Sequence, residues 1–334
     1  MHPAIQGLIT IVIGVGGCIG YFYFSNQFLD KVLFPARGPN AGRNINRANM
    51  IRPWLFLFPA IVALGLYLAY PVVETLRLSV TERIPGGGSE FVGFANYAQM
   101  FSEPKFWEAM RNNMLWLIIV PAFSTAFGLL AAQLTDRISW GNVAKSIIFM
   151  PMAISFVGAA VIWKLVYDTR PEGQDQIGIL NAFWVAMGGD PQTWLTIPYL
   201  NSILLMIVLI WIQTGFAMVI LSAALRGIPE ETIEAAIVDG ANPFQIFFKI
   251  KVPQIMGTIV VVWTTITLVV LKVFDIVFAM TNGQWQTQVL ANYMYDKLFR
   301  ANDWGVGSAS AIVIMLLVTP ILVWNVHNAR KEMR

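Results

Sequence analysis

Long apolar runs alternate with short polar connections along the whole chain. Seven runs are nearly free of charge: Ala4–Phe24, Trp54–Val73, Met114–Gln133, Ser146–Val166, Tyr199–Leu221, Ile255–Met280 and Val306–Val326. A hydrocarbon core of ~30 Å takes about 20 residues of helix, so each run is long enough to cross a bilayer. None alternates with a period of two, and all are far longer than the ~10-residue strand of a membrane barrel. The pattern therefore predicts an all-α polytopic membrane protein. The sixth run is the least pure, because Lys272 and Asp275 fall in its second half.

Composition agrees with the pattern. Of 334 residues, 57% are hydrophobic and 12% charged, about half the roughly 25% charge of a soluble domain. Too few polar residues are present to cover a water-facing surface. The distribution of charge then sets an orientation, because basic residues stay preferentially on the cytoplasmic side. The segments 25–53, 134–145, 222–254 and 327–334 together hold 13 basic and 7 acidic residues, against 9 and 12 in the rest of the chain. With the first set inside, seven crossings leave the N-terminus outside and the C-terminus in the cytoplasm. The first run lacks a basic stretch before it, and its flanking positive charge follows it, so it reads as a retained anchor and not as a cleaved signal. Cleavage would leave six helices in the same orientation.

Two regions follow. Residues 1–53 make an N-terminal transmembrane helix and a basic cytoplasmic linker, Gln27–Pro53; residues 54–334 make a six-helix core. Several chemistries are disfavoured. The net charge of +3 without a basic block argues against nucleic acid. Cys18 is the only cysteine, and His2 and His327 stand at opposite ends, which leaves little for a metal or acid–base site. No Gly-Lys dipeptide occurs, so no phosphate-binding Walker loop is present. An ion-driven secondary transporter would need intramembrane carboxylates, and only Asp275 is available.

The most informative stretch is cytoplasmic, Arg226 to Pro253. Pro229 suits a first helical position, and Glu230, Glu231 and Glu234 put negative charge at the positive end of a helix dipole. Gly240 is a natural left-handed terminator, and Asn242-Pro243 starts a second helix. Lys249 and Lys251 complement its far end, and Pro253 is expected to stop it. Ile233, Ala236 and Ile237 on the first helix, and Phe244, Phe247 and Phe248 on the second, form apolar faces. Either these faces fold back on the bundle or they dock in a groove on a partner.

At these residues the sequence resembles the integral-membrane subunits of binding-protein-dependent ABC importers. Their cytoplasmic loop reads Glu-Ala-Ala, three residues, Gly, nine residues, Ile, one residue, Leu-Pro. Glu234-Ala235-Ala236, Gly240 and Ile250-Lys251-Val252-Pro253 match it, with Val252 in place of Leu. Phe91-Val92-Gly93-Phe94-Ala95-Asn96-Tyr97, continuing to Phe106-Trp107, is similar to the external loop of the carbohydrate-uptake branch, typified by maltose and glycerol-phosphate permeases. Phe274-Asp275 and Thr281-Asn282-Gly283 resemble the external end of that branch's penultimate core helix, although Gln284-Trp285 stands where Gly-Pro is usual. Within the branch the chain looks most like alpha-glucoside permeases.

The resemblance implies a type I importer core of six helices plus one extra N-terminal helix, in the bacterial inner membrane. It implies that Glu234, Ala235, Ala236, Gly240, Phe244, Ile250 and Pro253 form a coupling element for a separate ATPase. ATP and Mg would then belong to two ATPase subunits, with no cofactor on this chain. A second, different permease, a periplasmic sugar-binding protein and membrane lipid complete the expected partners. For the sugar path, Trp211, Ile212, Gln213, Thr214 and Phe216 cluster mid-span in the fifth run, with Ile212, Gln213 and Phe216 aligned to sugar-lining positions of the maltose branch. Gln213 could equally be interhelical glue. Lys272 and Asp275, three apart, are expected to pair on one helix face near the external end, as a structural ion pair or a substrate contact.

Overall fold

The computed structural model describes residues 3–84 and 87–332, with side chains described from 5 to 324. His2, His327 and the C-terminal Arg334 lie outside the described side chains. The chain divides into two compact units, Met1–Glu74 and Thr75–Arg334.

The first unit is a pair of long helices. α1 spans Pro3–Phe28 and continues as a wider π turn over Leu29–Leu33; α2 spans Ala41–Leu64, and a second π turn, Gly65–Ala69, leads to α3, Tyr70–Ser79. The Tyr21 hydroxyl donates to the Leu55 carbonyl at 2.9 Å, Phe22 stacks on Phe56 at 5.3 Å, and Arg52 pairs with Asp30 at 2.6 Å. The stretch Gln27–Pro53, whose composition is that of a surface linker, is therefore largely helical. Helix occupies both ends of it, and Arg52 of α2 pairs with Asp30 and donates to the Asn49 side chain at 3.3 Å.

The second unit carries the core. Outside the spans, β1 (Thr81–Arg83) pairs antiparallel with β2 (Ser89–Phe91), and α4 (Ala95–Ser102) follows. The buried Asn96 amide donates to the Ser79 and Thr81 carbonyls, both at 3.0 Å, which ties this element down. The remaining helices are α5 (Pro104–Thr135), α6 (Gly141–Phe149), α7 (Phe156–Val166), α8 (Ile179–Ala186), α9 (Leu200–Arg226), α10 (Glu230–Val238), α11 (Pro243–Gln254), α12 (Met256–Leu271), α13 (Asp275–Met280), α14 (Leu290–Tyr295) and α15 (Trp304–Glu332).

α9 is the centre of this unit. Leu205, Val208, Leu209, Ile212, Ala217, Met218 and Leu221 are all buried along it, so apolar residues on every side meet protein. Small residues set its spacing from its neighbours. A β-carbon on Gly128 of α5 would lie 2.4 Å from that of Ala217, and one on Gly215 would lie 2.6 Å from the Ile148 carbonyl of α6. Such close backbone approach is how membrane helices gain packing where no hydrophobic driving force separates helix from lipid.

Five of the described helices are long and apolar enough to cross a membrane as single segments, and two sharply bent pairs bring the number to seven. The fourth apolar run is one of the bent pairs: α6 with its 3₁₀ extension to Ala153 meets α7 at 105°. Its cause is local, since Pro151 enters the 3₁₀ turn and Ser155 caps α7, its hydroxyl accepting from the Gly158 N–H at 3.1 Å. The sixth run is also interrupted. α12 ends at Leu271, residues 272–274 leave helical geometry, and α13 starts at Asp275. Lys272 and Asp275 therefore do not share a helix face, and no ion pair joins them among the described residues. They flank a break.

Candidate functional site

The loop between α9 and α12 takes the helix–turn–helix form that its residues dictate. Pro229 stands just before α10 as its N-cap, one position earlier than its role as first helical residue would require. Glu230 and Glu231 fill the first turn. Gly240 has φ +80, the left-handed conformation that a Cβ would disfavour, and no atom lies within 4 Å of where that Cβ would be. Asn242 and Gln245 form a reciprocal capping box, with bonds of 2.9 and 2.8 Å, and Pro243 takes the first helical position. Pro253 does not stop α11. The helix widens to π spacing from Ile246 to Lys251 and runs on to Gln254, and the 71° bend into α12 comes at Ile255. A widened turn relieves the demand for the amide hydrogen that proline lacks.

The two apolar faces divide between inside and outside. Ala236 and Ile246 are buried, and Ile233 packs on the core. Ile237, Val238, Phe244 and Phe248 are exposed, with Phe244 at 77% and Val238 at 86%. Glu234 and Ala235 are exposed beside them, Pro253 is exposed further on, and Ile250 is half-buried. Ala236, Ile246 and Ile233 thus fold back on the bundle, while Ile237, Val238, Phe244 and Phe248 leave an exposed apolar surface on the other side of the loop.

A charged cluster fastens this end of the bundle. Asp136, just past α5, pairs with Lys145 of α6 and lies 3.5 Å from the Arg226 Nε of α9. The Ser222 hydroxyl sits 3.1 Å from both Asp136 oxygens and receives Lys145 at 2.7 Å and Arg226 at 3.0 Å. Lys251 of α11 reaches the Gln133 side chain at 3.3 Å. Burial lowers the Lys251 pKa, with the positive charge of Arg137 adding to it against the opposing pull of Asp136. Nothing in the spacing of Asp136, Lys145 and Arg226 along the chain announced this cluster.

The five mid-span candidates of α9 do not converge. Trp211 and Thr214 line an apolar cleft of about 770 Å³ with Phe123, Phe127 and Trp163. Trp163 and Trp211 meet edge-to-face at 5.7 Å, while the Thr214 hydroxyl is turned back to the Ile210 carbonyl at 2.7 Å. Ile212 and Gln213 are buried in the core, and Phe216 packs against it. A helix turns 100° per residue, so consecutive residues cannot share one wall. Lys272 and Asp275 border a separate small cavity with Phe274.

At the opposite end, buried asparagines organise the loop after α13. Asn112 donates to the Gln286 and Gln288 carbonyls at 2.8 Å, Asn113 accepts from the Leu290 N–H at 2.8 Å, and Asn201 donates to the Trp285 carbonyl at 2.6 Å. Their position at the ends of the third and fifth apolar runs was the available sequence signal. Glu103 accepts from the Tyr293 hydroxyl at 2.8 Å and from Lys297 at 2.5 Å. Burial alone would raise its pKa, but these donors outweigh burial and hold it below the ordinary value of 4.5.

Residues 124–333 match the family model for the inner membrane component of binding-protein-dependent transport systems. The chain belongs to this family. It is 62% identical to the alpha-glucoside transport system permease protein AglF of Rhizobium meliloti, covering 99% of both chains. It is 45% identical to the osmoprotective compounds uptake permease protein GgtC of Synechocystis sp., covering 83% of this chain and 99% of that one. Among solved structures, a chain of a bacterial alginate ABC transporter, in complex with alginate pentasaccharide-bound periplasmic protein, superposes with a TM-score of 0.73 at 20% identity. That likeness covers 88% of this chain and 99% of the other, and it shows a shared fold. The chain is accordingly a multi-pass inner-membrane permease of an ABC importer, a transporter component and not a catalytic enzyme, with an additional N-terminal helix.

Proposed function

We propose that this permease imports an alpha-glucoside, delivered by a periplasmic binding protein, and that it is driven by a separate ATPase which docks on the 226–253 loop. The observation that carries the coupling half is the exposed face of Ile237, Val238, Phe244 and Phe248. Four large apolar side chains on a loop in water have a reason only if a partner covers them. Glu234, Ala235, Ala236, Gly240, Ile250 and Pro253 shape the loop that presents them. The chain has no Walker loop of its own, so ATP and Mg belong to the ATPase subunits. The substrate half rests on the 62% identity along the whole chain to a permease named for alpha-glucosides. With the basic connections inside, the docking loop and the C-terminus face the cytoplasm and the N-terminus lies outside. A second permease completes the path, since the cleft along α9 is apolar and offers a sugar few hydrogen-bonding groups.

The test is ATP hydrolysis by the assembled transporter in nanodiscs, with its binding protein and a panel of sugars. Maltose, sucrose or trehalose should raise the rate only when the binding protein is present. Stimulation by lactose or an alginate oligosaccharide, with none by any alpha-glucoside, would overturn the substrate reading.

A further inference from the structure

At the end of the bundle away from the coupling loop, the first turns of α5 and the entry to α9 enclose a polar pocket of about 420 Å³. That is within the roughly 300–1,000 Å³ of small-molecule sites. Pro104, Trp107, Glu108 and Arg111, three and four residues apart, form one stripe of α5, and Tyr199 and Gln286 complete the wall.

The backbone holding these last two is strained. Tyr199 has φ +65 and ψ −46, and the Leu200 N–H donates to the Pro198 carbonyl at 2.8 Å, which makes a γ-turn of the rare positive-φ hand. Trp285 and Gln286 hold φ +52 and +64. Bulky residues adopt such conformations only where the surroundings over-determine them, and such strain gathers at functional sites. Here Asn201 and Asn112, both buried, hold the Trp285 and Gln286 carbonyls. These bonds end on backbone, and the Gln286 amide makes no hydrogen bond among the described residues. Arg111 lies 5.2 Å from the Tyr199 ring centre and makes no ion pair among the described residues. One Glu108 oxygen accepts from the Gln288 N–H at 3.2 Å. The Trp107 indole donates to the Phe101 carbonyl at 2.8 Å, which fixes its ring.

From this arrangement we infer that the pocket is an external saccharide-binding site, which takes a neutral sugar ring ahead of the membrane path. The inference rests on the carbohydrate reading above. Two exposed aromatic rings offer stacking for the C–H faces of a sugar. Arg111 supplies donors, Glu108 acceptors, and Gln286 both, which matches hydroxyls that donate and accept. One cation and one anion leave the pocket without a net charge to favour an ionic ligand. The mid-span cleft has the opposite character, apolar on nearly every wall.

Saturation-transfer NMR of the whole transporter in nanodiscs, with maltose as the probe and no binding protein present, tests the site. Wild type should give maltose signals. Tyr199→Asn, which keeps a residue tolerant of positive φ, and Arg111→Gln should each weaken binding about tenfold, as the loss of one ring contact or one charged donor implies. Thermal unfolding of both variants checks that they fold. Unchanged maltose affinity in both folded variants overturns the inference, all the more if their affinity for the binding protein falls instead, which would make the pocket a protein dock. No maltose signal from wild type also overturns it. If maltose-loaded binding protein then still stimulates ATP hydrolysis, the carbohydrate reading stands; if it does not, that reading falls too.

Discussion

Asp136→Asn is the perturbation with the clearest structural arithmetic. The carboxylate meets Lys145, Arg226 and the Ser222 hydroxyl, and through them joins α5, α6 and α9 at the end of the bundle that carries the 226–253 loop. Asparagine preserves shape and removes charge. Exposed ion pairs contribute about 0–1 kcal/mol, and breaking a fully buried one costs about 3–5 kcal/mol. The side chains of Lys145 and Asp136 are 15% and 22% exposed, so an intermediate loss of about 2 kcal/mol is expected after discounting for solvent. Arg226 is 63% exposed and adds little to it. Because α9 leads directly into the coupling loop, loosening this junction should also lower sugar-stimulated ATP hydrolysis while membrane insertion is normal. The assay is a double-mutant cycle with Lys145→Gln, read by unfolding of the purified permease. A coupling energy of about 1–2 kcal/mol is predicted. Effects that add to within about 0.5 kcal/mol would show that the two residues do not act together, and the reasoning would fail.

Other expectations follow from the same geometry. Gly240→Ala should cost about 1 kcal/mol, from conformation alone, since nothing lies near the added methyl group; Gly240→Trp should cost little more in stability yet suppress stimulated ATP hydrolysis, and equal hydrolysis in the two variants would contradict a docking face. Glu103, held below 4.5 by Lys297 and Tyr293, contributes stability that is full above its unfolded pKa and is lost as pH falls through the lowered folded value. Thermal unfolding from about pH 6 down to about pH 3.5 should therefore fall more steeply for wild type than for Glu103→Gln. Parallel curves would show that the Glu103 contacts with Lys297 and Tyr293 do not stabilise the fold. Gly128→Leu should prevent stable folding, because the added side chain would drive α5 from α9 at Ala217; a normally folded variant would mean the helices are not packed as described.

The features legible in the sequence are those decided by a few neighbouring residues. Gly240 declared a left-handed turn, and Asn242-Pro243 declared a helix start, because capping and positive φ depend on local chemistry. Hydropathy located the spans for the same reason, yet it averaged over Pro151 and Ser155 and hid the 105° bend between α6 and α7. Lys272 and Asp275 have the spacing of a helical pair, but the helix stops at Leu271 and leaves them on either side of a break. Gln27–Pro53 misled because a polar composition suits a paired helix as well as a loop. Asp136 with Lys145 and Arg226, and Tyr199 with Arg111 and Gln286, were beyond reach: each joins residues from distant segments, and only the packing of α5 on α9 brings them together.

The central claim is that the exposed face of the 226–253 loop is where a separate ATPase attaches. A photo-activated benzophenone side chain at position 244, in the whole transporter in native membranes, tests it most directly. On irradiation, the account predicts one adduct between this permease and the ATPase subunit, and none from the same label at the exposed Phe91 of β2, at the opposite end of the same unit. Crosslinking only within the permease chain, or to lipid, would contradict it.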